Sequence, residues 1–351
     1  MKKCNWIVLW IVLTVGGGIA WAGDHSPPGP PGPTMHTLTE IYDLVEGLQQ
    51  QLNAMKLRQG ADGMAETVGG MVLIPAGPFQ MGDAFNEGNL NERPVHTVTV
   101  SAFYMDQYPV TKALWDEVQA LAGGQGYTDL PEGRGKGPSH PVHSVSWFDA
   151  IKWANARSQR DDLTPVYYTD TGFTTVYKTG TGTPYPNWSA NGYRLPTEAE
   201  WEKAARGGVA GRRFPWADGN TISHTRANYV AAPSSWDYDV SSTSDFHPDY
   251  SGGSDPPHTS PVGSFAPNGY GLYDMAGNVY NWCWDWYSST YYESSPVTDP
   301  RGPTSGSSRV LRGSSWGYDA WSCRAANRSH VTPGFRSHFI GFRLALSPGQ
   351  Q

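Results

Sequence analysis

The chain has 351 residues, among them 41 Gly, 28 Pro, 15 Trp, 19 Tyr and 11 Phe, with only 16% charged residues and three cysteines. This excludes a disordered chain, a collagen, a helical bundle and a small disulfide-stapled scaffold, and leaves a loop-heavy globular domain whose core leans on aromatic rings. The formal net charge of −7, with no basic stripe, argues against nucleic acid as the partner.

Lys2 and Lys3 precede an apolar stretch from Trp6 to Ile19, and Ala20-Trp21-Ala22 forms an A-x-A cleavage site. The pattern predicts a signal peptide over residues 1–22, a mature chain beginning at Gly23 and a secreted or periplasmic home, without stable membrane insertion after cleavage. An uncleaved anchor is the alternative. Cys4 precedes the apolar stretch and is not a lipidation site. Losing Lys2 and Lys3 leaves 23 basic against 32 acidic residues, a net charge of −9. Residues 23–34, GDHSPPGPPGPT, read as an extended Pro-rich linker. In residues 35–59, Leu38, Ile41, Val45, Leu48, Leu52 and Met55 follow a 3-4-3-4-3 spacing. That seam predicts a short helix, either a coiled coil forming a homo-oligomer through residues 38–55 or an amphipathic helix docked on its own domain. Residues 60–69 read as a second linker.

Residues 70–348 show no further boundary. Strands are predicted at Met71–Ile74, Val95–Val100 and Val310–Arg312. A helix over Thr111–Leu121 is expected. Another, Trp147–Ser158, starts from Ser146 as N-cap with Asp149 three residues on. A third follows Thr197, with Glu200 completing a capping box and Gly207-Gly208 ending it. Residues 208–268 and 298–308 have no period. The fold class is α+β with little regular secondary structure.

The usual catalytic signatures are missing: no G-x-S-x-G, P-loop, H-E-x-x-H or C-x-x-C. His140 and His143 form an H-x-x-H pair, but Pro141 lies inside it and prevents a helical metal face. Asp161-Asp162 and Asp237/Asp239 read as solvated loop charges.

Seven unusual strings occur in order: GMVLIPAGPFQMG (Gly70–Gly82), YMDQYPVT (Tyr104–Thr111), HPVHSVSWFDA (His140–Ala150), YRLPTEAEWEKAA (Tyr193–Ala205), PNGYGLYDMAGNVYNWCWDW (Pro267–Trp286), RVLRGSSW (Arg309–Trp316) and IGFRL (Ile340–Leu344). Together they resemble the formylglycine-generating enzyme family, also called the sulfatase-modifying-factor domain. The resemblance implies a C-type-lectin-like fold. The family includes oxidases that convert a sulfatase cysteine to formylglycine with copper held by two cysteine thiolates, relatives that mature siderophores, and variable ligand-binding proteins of the same fold.

In the oxidases two cysteines stand five positions apart after R-V-x-R-G-G-S-[YW]. Counted without gaps, Tyr318 here stands at the first and Cys323 at the second, while Ser315 retains the motif's serine. A gap before Ala325-Ala326-Asn327-Arg328 would move Cys323 off its position too. Soft Cu(I) prefers thiolates, so copper is not expected. Cys283, in NWCWDW, leaves three readings with Cys323: a Cys283–Cys323 disulfide, two buried free thiols, or a displaced metal or redox site.

The resemblance also implies structural calcium at two places. One would use Asp274, the Gly277 and Val279 carbonyls and Asn281, which stands where the family usually has a glutamate. The other would use Asn228, the Tyr229 carbonyl and Asp255, with Asp245 and Asp249 as rival acids. The alternative is that these residues only shape turns. Arg194, Arg312 and Arg343 read as buried guanidiniums bracing loop carbonyls. Trp147, Trp201, Trp282, Trp286 and Trp316 read as core. The loops 160–190 and 230–260, with Tyr167, Tyr168, Trp188, Trp236 and Tyr238, read as a binding surface.

The function expected from these readings is an exported binding module for a protein, peptide or glycan, lacking the copper-oxidase site. The alternative is an oxidoreductase of the same family with a rebuilt site, in which Cys323, Ser315 and Tyr318 line the pocket and Cys283 is a further member.

Overall fold

Three helices open on side-chain caps. In this computed structural model, which describes residues 67–68, 70–252 and 256–348, Thr111 Oγ1 accepts from Leu114 N at the start of α1 (Lys112–Ala122). At α2 (Trp147–Arg160) Ser146 Oγ accepts from Asp149 N while Asp149 Oδ2 accepts from Ser146 N at 2.8 Å. Thr197 and Glu200 form the same reciprocal box at α3 (Glu198–Ala205). Each box satisfies two backbone donors that a helix start leaves open. The readings for residues 1–22, 23–34 and 35–59, and the Asp255 side chain, lie outside the described residues.

The strands are β1 (Thr67–Val68), β2 (Met71–Ile74), β3 (Gly77–Met81), β4 (His96–Val100), β5 (Phe103–Asp106), β6 (Tyr167–Tyr168), β7 (Tyr185–Pro186), β8 (Tyr193–Arg194), β9 (Tyr280–Trp286), β10 (Arg309–Arg312), β11 (Ser329–Val331), β12 (Ile340–Gly341) and β13 (Ala345–Leu346). A five-stranded sheet has the order β1-β2-β5-β13-β8, and a four-stranded sheet the order β11-β10-β9-β12. β13 inserts antiparallel between β5 and β8, with Ala345 opposite both Met105 and Arg194. β12 runs parallel to β9. Residues distant in sequence therefore close both sheets. β3 and β4 form a separate ribbon, and β6 pairs with β7.

Of the indoles expected in the core, Trp147, Trp201, Trp282 and Trp316 are buried, while Trp286 is only half-buried. Trp147 Nε1 donates to the Cys283 carbonyl at 2.9 Å, Trp282 Nε1 to Val145 O at 3.1 Å and Trp153 Nε1 to Trp115 O at 3.2 Å. Each ring fills apolar volume while its N–H satisfies irregular backbone. Buried arginines do the same for the long loops. Arg312 donates to Ala325, Ala326 and Asn327 carbonyls and pairs with Glu202. Glu202 also accepts from Arg206 and Gly82 N. Arg328 pairs with Glu198, and Arg324 with Glu92. Arg194 departs from the carbonyl-bracing expectation: its main partner is Glu200, bound through two parallel N–H donors.

Two surface expectations are corrected. Asp239 is buried, accepting from Tyr229 Oη at 2.6 Å and from Ala232 N. Tyr167 and Tyr168 are buried too, because β6 turns them into the core. Trp188, Trp236 and Tyr238 remain half-buried.

Candidate functional site

β10 is followed by Gly313, whose φ of 91° favours glycine, and a Cβ there would lie 2.8 Å from Trp201 Cζ2. The chain then crosses to the loop before β9: Gly277 N donates to Gly313 O at 2.7 Å and Trp316 N to Asn278 O at 2.9 Å. Gly277 also has positive φ, and a side chain there would strike Asn228 O at 2.3 Å. This stitching holds residues 314–323 against β9 and Asn228.

Tyr318 is anchored by its backbone, with Val230 N donating to Tyr318 O at 2.9 Å. Its half-exposed ring meets Tyr280 edge-on at 5.2 Å and Phe339 at 5.5 Å. Trp316 lies beside Phe339 (4.8 Å), His258 (4.9 Å), His338 (5.4 Å) and Phe246 (5.7 Å). Tyr318 is thus one edge of an aromatic face. Burial, then the neighbouring His258, lowers the His338 pKa. Burial, with His338, Arg134 and His140 adding to it, brings His143 down to about 4. His140 and His143 do not converge: His140 Nδ1 contacts Thr259 Oγ1 and His143 Nδ1 contacts Ser144 Oγ.

Cys323 is fully buried among Phe214, Ile222, Ala227, Tyr229 and Ala320. Burial pushes its thiol up to about 12, with Ser314 opposing. The Ser314 hydroxyl is near enough to lower both Cys323 and Tyr280 but has hydrogen-bond geometry to neither. Ser315 is buried, its Oγ 3.5 Å from Gly317 N. Cys283 packs in a different cluster with Trp201 and Val310, and burial drives its thiol well above the ordinary range.

Of the three readings for Cys283 and Cys323, the structure matches two buried free thiols and not the disulfide. Cys283 and Cys323 are free, enclosed thiols belonging to separate apolar clusters. A protonated thiol is neither a nucleophile nor a soft-metal ligand. The residues present do not fit the two-thiolate copper site: one position is a phenol and the other a buried thiol. Sequence reasoning missed Tyr280, Ser314, Phe339, His258 and His338; the adjacent His338-Phe339 before IGFRL was the available signal.

The calcium residues fit in part. Asp274 Oδ1, Asn228 Oδ1 and Ser260 Oγ are buried without a hydrogen-bond partner. Asn278 ties their segments together, receiving Ser260 N at 3.1 Å on its side chain and donating its own N–H to Asn228 O. Burial raises the Asp274 carboxyl to about 6, against the opposing Gly263 N–H and Arg343. Orphaned oxygens suit a hard cation. Asn281 departs from the expected set: its Oδ1 accepts from Trp201 Nε1 and Arg343 Nε, and its Nδ2 donates to Val279 O. It braces Arg343, which also holds the Tyr273 and Asp274 carbonyls. The Tyr229 carbonyl is met by His224 Nε2 at 3.1 Å. No group of three or more His, Cys, Asp or Glu side chains suited to a metal occurs among the described residues.

Residues 59–348 match the Sulfatase-modifying factor enzyme 1-like domain. The Formylglycine-generating enzyme of Streptomyces coelicolor is 38% identical over 305 residues, covering 79% of this chain and 88% of that protein. Among solved structures, Treponema denticola variable protein 1 aligns with a TM-score of 0.61 at 32% identity, covering 81% of this chain and 99% of its own. PvdO from Pseudomonas aeruginosa aligns with a TM-score of 0.57 at 28% identity, covering 79% and 94%. These matches bear out the family and its fold: the chain belongs to the formylglycine-generating enzyme, or sulfatase-modifying factor, family.

Proposed function

We propose that this chain is an exported binding domain of its family, in which an aromatic face stands where the oxidases hold copper. The observation that carries the reading is Tyr318. At the first thiolate position it presents a half-exposed ring on Phe339 and Tyr280, while Cys323 is withdrawn into an apolar cluster. A face of aromatic rings suits a peptide, protein or glycan ligand, because aromatics supply contact area at low entropic cost. Association through residues 38–55 would make such binding multivalent. Structural calcium would be held at two places, one at Asp274 and the other at Asn228, each with an unpartnered side-chain oxygen. Its chemistry would be neutralisation of the buried Asp274 carboxylate.

The experiment is incubation of the purified mature protein with copper, oxygen and a sulfatase-derived cysteine peptide. No aldehyde is expected by mass spectrometry; stoichiometric aldehyde would sink the reading. A second reading, an oxidoreductase with a rebuilt site, is favoured by one grouping: the buried Tyr280 ring meets Tyr318 edge-on, on the loop that also carries Cys323.

A further inference from the structure

A concavity of about 220 Å³ shares no lining residue with the Tyr318 face. It is lined by Ser101, Trp188, Arg194, Glu200, Asp299 and Arg301, among others. Five separate segments build it: the β4–β5 turn, the chain from β7 to β8, the start of α3, the loop after Thr298 and Ser347-Pro348 after β13.

Both oxygens of each of its two carboxylates are already partnered. Asp299 accepts from Ser101 N and Ser101 Oγ, both at 2.7 Å. Glu200 accepts from both Arg194 terminal nitrogens and from Thr197 N. Its cations keep unpaired donors. Arg301 is exposed, stacks on the Trp188 ring at 4.2 Å, and makes no hydrogen bond or ion pair among the described residues. Arg194 is almost fully buried, lies 5.3 Å from the same ring, and its Nε has no partner. The unspent hydrogen-bonding capacity of the two arginines is all donor, and a buried donor left unpaired is costly.

We propose that this cavity binds the carboxylate group of a small organic acid. The planar oxygens would take the Arg301 fork, with the buried Arg194 charge behind it, and the carbon skeleton would lie beside Trp188. Guanidinium geometry matches a carboxylate two oxygens at a time. The volume is below the range of drug-sized sites, which limits the ligand to a single sugar-acid ring or a short aliphatic acid. Asp299 and Glu200 balance the two arginines, so a dianion meets repulsion that a monocarboxylate does not.

The test is calorimetric titration of the full chain with glucuronate, propionate, glucose and inorganic phosphate, with the arginine Nε–H resonances followed by NMR. Saturable binding of a carboxylate is expected, with glucose and phosphate at least about tenfold weaker. Glucuronate binding well above propionate assigns a sugar acid; equal binding assigns a simple organic acid. Arg301→Ala is expected to weaken the carboxylates about tenfold or more, whereas Arg226→Ala, in a different concavity, leaves them unchanged. Arg301 is exposed and, among the described residues, touches only the half-buried Trp188 ring through its stacking, so its variant should fold. If it does not, Arg301→Lys keeps the charge, loses the fork and is expected to show the same loss. No saturable carboxylate binding, binding indifferent to Arg301, or phosphate binding as tight as the carboxylates would each overturn the proposal.

Discussion

Tyr318 and Cys323 lie on one loop yet in different surroundings: the Tyr318 ring is half exposed against Phe339, and the Cys323 thiol is enclosed with Phe214 and Tyr229. Cys283 is enclosed as well, in another cluster. Both thiols should therefore resist an aromatic disulfide reagent in the native protein and react together once it unfolds. Intact mass under non-reducing conditions should show no Cys283–Cys323 bond. Fast native labelling or a two-dalton mass deficit would contradict this.

Arg312 and Glu202 form an ion pair with both side chains closed to solvent. Burial alone would raise the Glu202 pKa, but Arg206, Arg312 and the Gly82 N–H outweigh it, and the pKa is lowered. Glu202→Gln leaves Arg312 short of its counter-charge and should cost about 3–5 kcal/mol in urea unfolding. A depressed folded pKa contributes stability above the ordinary glutamate value and loses it as pH falls through the folded value. The acid limb of the stability profile should therefore flatten in this variant. A loss below 1 kcal/mol would mean the pair is not the brace inferred here.

How much of this was legible from the sequence depends on how local each feature is. The boxes at Ser146 and Thr197 span four residues and act through adjacent backbone, so both helix starts could be read directly. Strands β8, β12 and β13 are two residues each and exist only because partners far along the chain meet them; no periodicity could betray them. Asp239 looked like a loop charge because Tyr229 and Ala232, its partners, are brought to it by the fold. The family strings located Tyr318 and Cys323, but not the separate clusters that keep Cys283 and Cys323 apart. The leftover donors of Arg301 and Arg194 are visible only once Asp299 and Glu200 are seen to be taken.

Asp274 carries the calcium prediction. Its folded pKa of about 6 lies above the ordinary value, so ionisation opposes folding. Stability from this group falls as pH rises from about 3.8 through about 6 and is level beyond. A calcium ion needs the ionised form, so added calcium should raise Tm at pH 7.5 and lose that effect below pH 6. Asp274→Asn should abolish both dependences. Scanning calorimetry with calcium and with chelator at pH 5 and 7.5 checks this; an increment independent of pH, or none at pH 7.5, would contradict it.

Gly313→Ala tests the stitch under the aromatic face. Its φ of 91° and the 2.8 Å approach to Trp201 Cζ2 predict a loss of about 1–3 kcal/mol in urea unfolding. Gly334→Ala meets nothing within 4 Å and should be neutral or slightly stabilising. Equal costs at the two positions would remove the steric argument.

The central claim is that the family's copper-binding thiolate pair has given way here to a phenol and a buried thiol. Titration of the reduced, purified protein with Cu(I) against a competing chelator tests it most directly. The expected result is no stoichiometric copper on the native protein, with both thiols still counted after unfolding. One tightly held copper per chain, lost in Cys323→Ser with the fold intact, would contradict it.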